Sequence, residues 1–194
     1  MTVPAICEAA GVSKQTTQLV EVAPDARTFV ETLAQNQAFA DAIAFLAHAL
    51  PRREGVWWAW LCARDSVGAK PAPPVAASLE ATKAWIAEPT DGHRRAALGA
   101  AESAGIATPV GLAALAAFLC GDTLGPAEAP PAPPPEFAAA KAIVGCVNLA
   151  AVADEEADVG ERYAELVRRG VELADRINLW TPEASATPTK GRGT

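Results

Sequence analysis

Apolar positions recur at helical spacing along most of the chain. Phe39, Ile43, Leu46 and Leu50 follow one another at intervals of four, three and four residues, which places them on one face of a helix. Pro51 ends this segment because proline disfavours helical backbone at the residue before it. Runs that alternate between apolar and polar residues, which are typical of strands, are not a feature of the chain. The pattern therefore predicts an all-α protein.

Eight helices are predicted in this way, separated by turn residues. Asp25 is typical of an N-cap, and Thr108 followed by Pro109 is typical of another helix start. The predicted helices are one with Phe29, Val30 and Leu33, one over 39–50, one over about 53–67, one with Val75, Leu79, Lys83 and Ile86, one over about 93–103, one from Thr108 to just before Gly121, one over about 137–153, and one with Val159, Tyr163, Leu166, Val167 and Val171. We expect a compact bundle of roughly eight helices. A short α-solenoid of helical hairpins is the alternative, although no fixed repeat continues past two units.

Composition divides the chain into three parts. Residues 1–24 have no clear period and are interpreted as an N-terminal extension, while residues 25–180 form the helical domain. Within that domain the proline-rich segment 125–136 predicts an extended connection. Residues 181–194 have no apolar period and predict a disordered tail.

Tryptophan is concentrated in "PRREGVWWAWLCARD", residues 51–65. Between Glu54 and Arg64 this predicted helix has no charged residue, and a helix that is apolar on all sides is normally buried. At least one indole N–H in such a core needs a hydrogen-bond acceptor. The predicted structural core residues are Trp57, Trp58, Trp60 and Trp85.

Two pairs of arginines lie at the starts of predicted helices. Arg52 and Arg53 precede the tryptophans, and Arg94 and Arg95 begin another helix, where the helix dipole disfavours cations. If the pairs converge, they form a patch suited to carboxylates or other anions. We therefore predict a partner-binding site made of Arg52, Arg53, Glu54, Arg94 and Arg95. The alternative is that these arginines are solvated or form local salt bridges to Glu54 and Asp91.

The charge distribution and the positions of the cysteines indicate the cellular compartment. The net charge is −7, yet segment 52–95 contains seven Lys or Arg and five Asp or Glu, so it is the basic part of an acidic body. No apolar run is long enough to span a membrane, and the first residues do not resemble a secretory signal. The four cysteines stand apart from one another, which is typical of a reducing compartment. We expect a cytoplasmic protein that does not bind membranes.

Groups that carry chemistry are sparse. The chain has two histidines, His48 in an apolar helix and His93 at a helix start. Neither stands in a pattern typical of a catalytic triad, a phosphate-binding loop or a zinc site. We therefore predict no catalytic residue, no metal site and no cofactor, and an enzyme ranks third among the functions considered.

The segment "PAICEAAGVSKQTTQLV" resembles the helix-turn-helix of TetR-type repressors, in which an "AGVSKxT" turn precedes the recognition helix. The matching residues are Ile6, Ala9, Ala10, Gly11, Val12, Ser13, Lys14 and Thr16. This resemblance implies a DNA-binding regulator that uses residues 4–20. The single lysine of that segment and the acidic body argue against nucleic acid as a partner, because duplex affinity depends largely on neutralising phosphates.

A wider resemblance covers about residues 25–180. The stretches "LPRREGVWWAWLCAR", "WIAEPTDGHRRAAL", "LAALAAFLCG" and "PPPEFAAAKAIVGCVNLAA" are similar to an uncharacterised bacterial family of small helical proteins associated with type VI secretion gene clusters. The resemblance implies a non-enzymatic adaptor or accessory protein. Such a protein acts through contacts with a protein partner, such as a component or effector of the secretion apparatus.

Overall fold

The computed structural model describes residues 2–21, 23, 25–126, 129–154 and 156–180. These residues form ten α-helices, one 3-10 turn at Gln18–Glu21 and no strand, which confirms the all-α prediction. The helices are α1 (Val3–Ala10), α2 (Lys14–Thr17), α3 (Ala26–Gln35), α4 (Phe39–Ala49), α5 (Arg52–Asp65), α6 (Pro73–Ala87), α7 (Asp91–Ala104), α8 (Pro109–Leu119), α9 (Ala138–Ala151) and α10 (Val159–Arg176). The predicted disordered tail, 181–194, lies outside the described residues.

The helices pack as a compact bundle. At its centre α5, α8 and α9 all contact one another, and α10 packs on α3, α4, α5 and α9. A solenoid repeat contacts only its neighbours along the chain, whereas α10 contacts helices far from it in sequence. The observed packing therefore favours the compact bundle over the α-solenoid.

Helix α9 lies in the middle of this bundle, as its nearly uniform apolar sequence predicts. Half of its fourteen residues are buried, among them Ile143, Cys146 and Val147. Its contact with α5 is close because Gly55 faces it: a Cβ at Gly55 would lie 2.9 Å from the Cδ1 of Ile143. Small residues thus bring the backbones of the central helices together.

The predicted helix starts are present with their caps. The Asp25 side chain accepts a 2.8 Å hydrogen bond from the Thr28 N–H, and Thr108 Oγ1 accepts one of 3.0 Å from the Gly111 N–H. The proline-rich connection contains no helix in its described residues, 125–126 and 129–136. These helix starts can be predicted from the sequence because an N-cap residue binds an N–H within the first turn of its own helix.

The N-terminal segment contains helices although its sequence has no clear apolar period. Helix α1 ends at Gly11, which adopts left-handed backbone with φ of 63°, and Ser13 caps α2. Ile6 and Cys7 are buried, and α1 packs against α4. Helix α2 has only four residues before the 3-10 turn. The segment contributes apolar side chains to the same core as the later helices.

Candidate partner-binding face

Trp58 is the central side chain of α5. It is fully buried, and its indole Nε1 donates a 3.0 Å hydrogen bond to the Leu166 carbonyl oxygen of α10. Gly170 makes room for it, because a Cβ there would lie 3.0 Å from the Trp58 ring. Trp58 therefore joins α5 to α10 through packing and through one buried hydrogen bond.

Trp60 and Trp85 also belong to the protein interior, as predicted. Trp85 is 5% exposed, and Trp60 is partly buried with its Nε1 donating a 2.9 Å hydrogen bond to the Leu79 carbonyl oxygen of α6. The Arg64 guanidinium lies 5.1 Å from the centroid of the Trp60 ring. Trp60 thus fixes the distance between α5 and α6.

Trp57 differs from the other three, and the prediction that it lies in the core is wrong. Its side chain is 36% exposed. Helices α6, α8, α9 and α10 pack against α5, but the side of α5 that bears Trp57 stays open to solvent. A helix that is apolar on all sides predicts burial only where neighbouring helices surround it completely.

The open side of α5 forms a shallow groove with α6, which we call the Trp57 groove. Its volume is about 330 Å³, and it is lined by three charged and three apolar residues. The residues that line it are Arg53, Glu54 and Trp57 of α5 and Lys83, Ile86 and Ala87 of α6. An exposed tryptophan beside an arginine is the composition of many protein-binding hot spots.

Arg53 holds the two helices of this groove together. Its Nε donates a 2.6 Å hydrogen bond to the Ile86 carbonyl oxygen, and its Nη2 donates one of 3.4 Å to that of Ala87. These carbonyls are at the C-terminal end of α6, where a helix has unpaired acceptors and a partial negative charge. The arginine that stands unfavourably at the start of α5 is therefore placed favourably at the end of α6.

Arg52 and Arg94 converge on the end of α8. The Arg52 Nη1 donates to the Cys120 carbonyl oxygen at 3.2 Å, and the Arg94 Nη1 donates to that of Phe118 at 3.0 Å. The predicted convergence of the two arginine pairs is therefore observed for Arg52 of one pair and Arg94 of the other. Both side chains bind carbonyls of the protein itself, which the sequence did not indicate.

Arg94 is buried, unlike the surface contact that we predicted. It is 4% exposed, its Nε donates a 3.0 Å hydrogen bond to Asp91, and its guanidinium lies 4.9 Å from the Phe118 ring centroid. Gly121 is packed directly against it, because a Cβ there would lie 2.7 Å from the Arg94 Cδ and closer to the guanidinium. A side chain in this environment is not available to a partner protein.

Arg95 shares the carboxylate of Asp91. Its Nε donates to Asp91 at 2.7 Å and its Nη2 donates to the Gly125 carbonyl oxygen at 2.7 Å. Hydrogen bonds from Arg95 and Arg94 lower the pKa of Asp91. The alternative prediction of a salt bridge to Asp91 is thus confirmed for this pair. Within the described residues no ion pair joins Arg52 or Arg53 to Glu54, which lines the Trp57 groove.

Two further kinds of chemistry, that of cysteine thiols and that of metal ions, depend on burial and on the clustering of side chains. Burial raises the pKa of the Cys62 and Cys120 thiols to about 12, so both are protonated at neutral pH. The described residues contain no group of three His, Cys, Asp or Glu side chains that is suited to a metal ion. Every helix in the described ranges is too short or too polar to cross a bilayer.

Two hydroxyls of the segment that resembles a helix-turn-helix are hydrogen-bonded to α4. Ser13 Oγ donates a 2.9 Å hydrogen bond to the Asp41 carboxylate of α4, and Thr16 Oγ1 also donates to it. Thr16 is 4% exposed. These two side chains of the "AGVSKxT" turn therefore bind the body of the protein.

Comparison with known proteins identifies the family and nothing closer. No curated protein and no solved structure matches the chain significantly. The profile of a family of unknown function, DUF6931, matches residues 29–174, which include the Trp57 groove and all four arginines of the predicted site. Because the match spans well over half of the sequence, the chain belongs to the DUF6931 family of unknown function.

Proposed function

We propose that the protein is a non-enzymatic helical adaptor that binds a partner protein in the Trp57 groove. The observation that carries this proposal is the exposure of Trp57 on an otherwise well-packed helix. Tryptophan is highly buried on average, and it is among the residues that contribute most to protein interfaces. The proposed contact surface is therefore the open side of α5, which Arg53 lines, rather than the set of four arginines.

The partner segment that fits this groove has an apolar side chain flanked by acidic residues. Ile86, Ala87 and the Trp57 ring offer an apolar surface, while Arg53 and Lys83 contribute two positive charges against the one negative charge of Glu54. Lys83 is exposed, and its Nζ is 3.5 Å from Glu80. Complementary charge at such a rim raises the association rate and favours acidic partners over basic ones.

The resemblance to helical proteins of type VI secretion clusters suggests one class of partner protein. Under this proposal a component or effector of the secretion apparatus would carry the acidic segment. Co-purification of tagged wild-type protein and of its Trp57→Ala variant from native cells addresses that class directly. A secretion component that is retained by the wild type and lost with the variant supports the assignment.

The groove itself is tested with a displayed library of random 15-residue peptides. We expect wild-type protein to select peptides in which Asp or Glu flanks a large apolar residue. Because removal of a hot-spot side chain costs about 2 kcal/mol or more, Trp57→Ala should weaken the selected peptides by roughly 30-fold. Lys83→Glu should weaken acidic peptides too, whereas Lys70→Glu makes the same charge change outside the groove and serves as its control.

Two outcomes would refute the proposal. One is a set of selected peptides that bind Trp57→Ala as tightly as wild type. The other is a set without acidic residues that binds Lys83→Glu and Lys70→Glu equally. The DNA-binding alternative stays a prediction, and salt-dependent binding of a DNA duplex in fluorescence anisotropy would favour it over the adaptor.

A further inference from the structure

A second cavity lies on another part of the bundle, where α4 and α8 end and α5 and α9 begin. Its volume is about 320 Å³, which is within the range of small-molecule sites. Its lining includes Leu50, Arg52, Leu119, Phe137 and Ile143 together with His48, which gives this space the name His48 cavity. It shares no lining residue with the Trp57 groove.

Arg52 supplies a positive charge at this cavity. One Nη1 hydrogen bond, to the Cys120 carbonyl oxygen at 3.2 Å, orients the guanidinium. A guanidinium has five N–H donors, and the described residues provide no further acceptor for those of Arg52. The remaining donors suit a carboxylate, which can accept two parallel hydrogen bonds.

His48 is the second polar side chain in the cavity wall. Its Nδ1 is 2.7 Å from the Ala44 carbonyl oxygen, and because a carbonyl only accepts, this nitrogen carries the proton. The Nε2 atom is buried and has no hydrogen-bond partner in the described part of the chain. The Phe137 ring lies 5.3 Å away, between ring centroids. An unpaired buried nitrogen is costly, and nothing among these residues would accept a hydrogen bond from a protonated ring.

The backbone at the start of α9 adds two donors to the same wall. Phe137, the N-cap residue, offers no side-chain acceptor. The Ala138 N–H donates to the Pro135 carbonyl oxygen and the Lys141 N–H to that of Phe137. The N–H groups of Ala139 and Ala140 lie between these bonds and have no acceptor among the described residues. Both residues line the cavity.

We infer that the His48 cavity binds a small organic carboxylate. Its carboxylate group lies between the Arg52 guanidinium and the N–H groups of Ala139 and Ala140. Its apolar part lies against Leu50, Leu119 and Ile143. This inference does not depend on the adaptor function, since the two sites use different residues.

Binding is coupled to the protonation of His48. Burial lowers the pKa of His48, and the charge of Lys141 acts in the same direction. A bound carboxylate supplies the negative charge that a protonated ring lacks, so we expect it to raise the pKa of His48. The charged groups around the ring are Arg52, Glu136 and Lys141. Glu136 opposes an anion, but it is exposed to solvent, which screens its charge.

Sodium benzoate is a suitable probe because it joins a carboxylate to an apolar ring of small volume. We expect its addition to ¹⁵N-labelled protein to shift the amide resonances of Ala139 and Ala140. Arg52→Gln should raise the dissociation constant roughly tenfold or more. Lys70→Gln removes an exposed charge outside the cavity and should leave that dissociation constant unchanged. Benzoate should also raise the pKa of His48 measured by NMR, a readout that does not depend on any variant.

The inference is overturned if benzoate at about 10 mM shifts neither amide resonance. It is also overturned if the neutral isostere benzamide binds equally well, or if Arg52→Gln and Lys70→Gln bind benzoate alike while both stay folded. Inorganic phosphate is the third probe. Binding of phosphate without binding of benzoate would overturn the assignment to an organic acid.

Discussion

Arg94 of α7 holds the end of α8 through Phe118, donating a 3.0 Å hydrogen bond to its carbonyl oxygen while the guanidinium lies 4.9 Å from its ring centroid. The buried cation is balanced by Asp91, one helical turn before it. A charge that is removed from water in this way is stabilising only while its partners are present. The stability of the bundle should therefore depend on this contact more than on the exposed arginines around it.

Replacement of Arg94 by methionine tests this dependence. Arg94→Met removes the hydrogen bonds to Phe118 and Asp91 and the contact with the aromatic ring, and we expect the free energy of unfolding to fall by about 2–3 kcal/mol. Arg95→Met removes the other, more exposed partner of Asp91 and should cost under about 1 kcal/mol. Urea unfolding measures both values. Equal losses for the two variants would contradict the special role of Arg94.

Gly121 should resist any larger residue because Arg94 occupies the space beside it. Gly121→Ala places a Cβ 2.7 Å from the Arg94 Cδ, and we expect a loss of about 1–3 kcal/mol. Gly99→Ala is the control, since a Cβ there meets nothing within 4 Å and alanine favours helix by about 0.5–1 kcal/mol. A double-mutant cycle with Arg94→Met should show coupling between positions 94 and 121, and strict additivity would argue against it.

The two adjacent tryptophans of α5 should differ sharply in their effect on stability. Trp58→Ala opens a cavity in the core and removes the indole hydrogen bond to the Leu166 carbonyl oxygen, so we expect a loss of about 3–5 kcal/mol. Trp57→Ala removes a side chain that is 36% exposed and should cost about 1 kcal/mol or less. Chemical denaturation followed by far-UV circular dichroism separates the two. A large loss for Trp57→Ala would mean that the ring serves the fold.

The lowered pKa of His48 predicts that the free energy of unfolding decreases below neutral pH. Its pKa is lowered in the folded protein, while in the unfolded chain it is near 6.5. As the pH falls through about 6.5, the unfolded chain binds a proton that the folded protein does not, so the free energy of unfolding falls. His48→Gln should remove this part of the pH dependence, whereas His93→Gln is the control.

Other groups act in a lower pH range and do not obscure this effect. The lowered pKa values of the paired carboxylates cause a loss of stability only as the pH falls below about 4.5. The carboxylates concerned are Asp25, Asp65, Asp91, Glu165 and Asp175. Melting temperatures between about pH 7.5 and 5.5 that decrease equally in wild type and His48→Gln would contradict the assignment to His48.

Asp41 joins the N-terminal helices to the bundle, since Ser13 and Thr16 both donate hydrogen bonds to it. We expect Asp41→Ala to speed hydrogen exchange of the amides in α1 and α2 by roughly tenfold, which corresponds to about 1.4 kcal/mol of local stability. The amides of α8 and α9 should be unaffected. Uniform acceleration throughout the chain would mean that this contact stabilises the whole fold.

Local signals in the sequence predicted most of the helices. Asp25 and Thr108 were identifiable as caps because an N-cap binds an N–H within its own first turn. The ion pairs of Arg94 and Arg95 with Asp91 were also foreseeable, since residues three and four positions apart meet on a helix surface.

What the sequence could not predict depends on contacts between distant helices. The exposure of Trp57 follows from the absence of a covering helix, and no pattern within α5 reports on that. The burial of Arg94 depends on Phe118, which is 24 positions away. The weak period of residues 1–24 hid α1, although Gly11 is a typical C-terminal signal of a short helix. The His48 cavity joins four segments and has no signature in any one of them.

Folding of the chain should depend on the arginines that donate hydrogen bonds to the ends of neighbouring helices. The C-terminal carbonyls of α6 and α8 find their donors on α5 and α7, so these helix ends become complete only when their neighbours are in place. The helices concerned should therefore gain and lose structure together rather than one by one. A fragment cut between them would leave acceptors exposed at one helix and unmatched cations at the next, and we expect neither half of the bundle to persist alone.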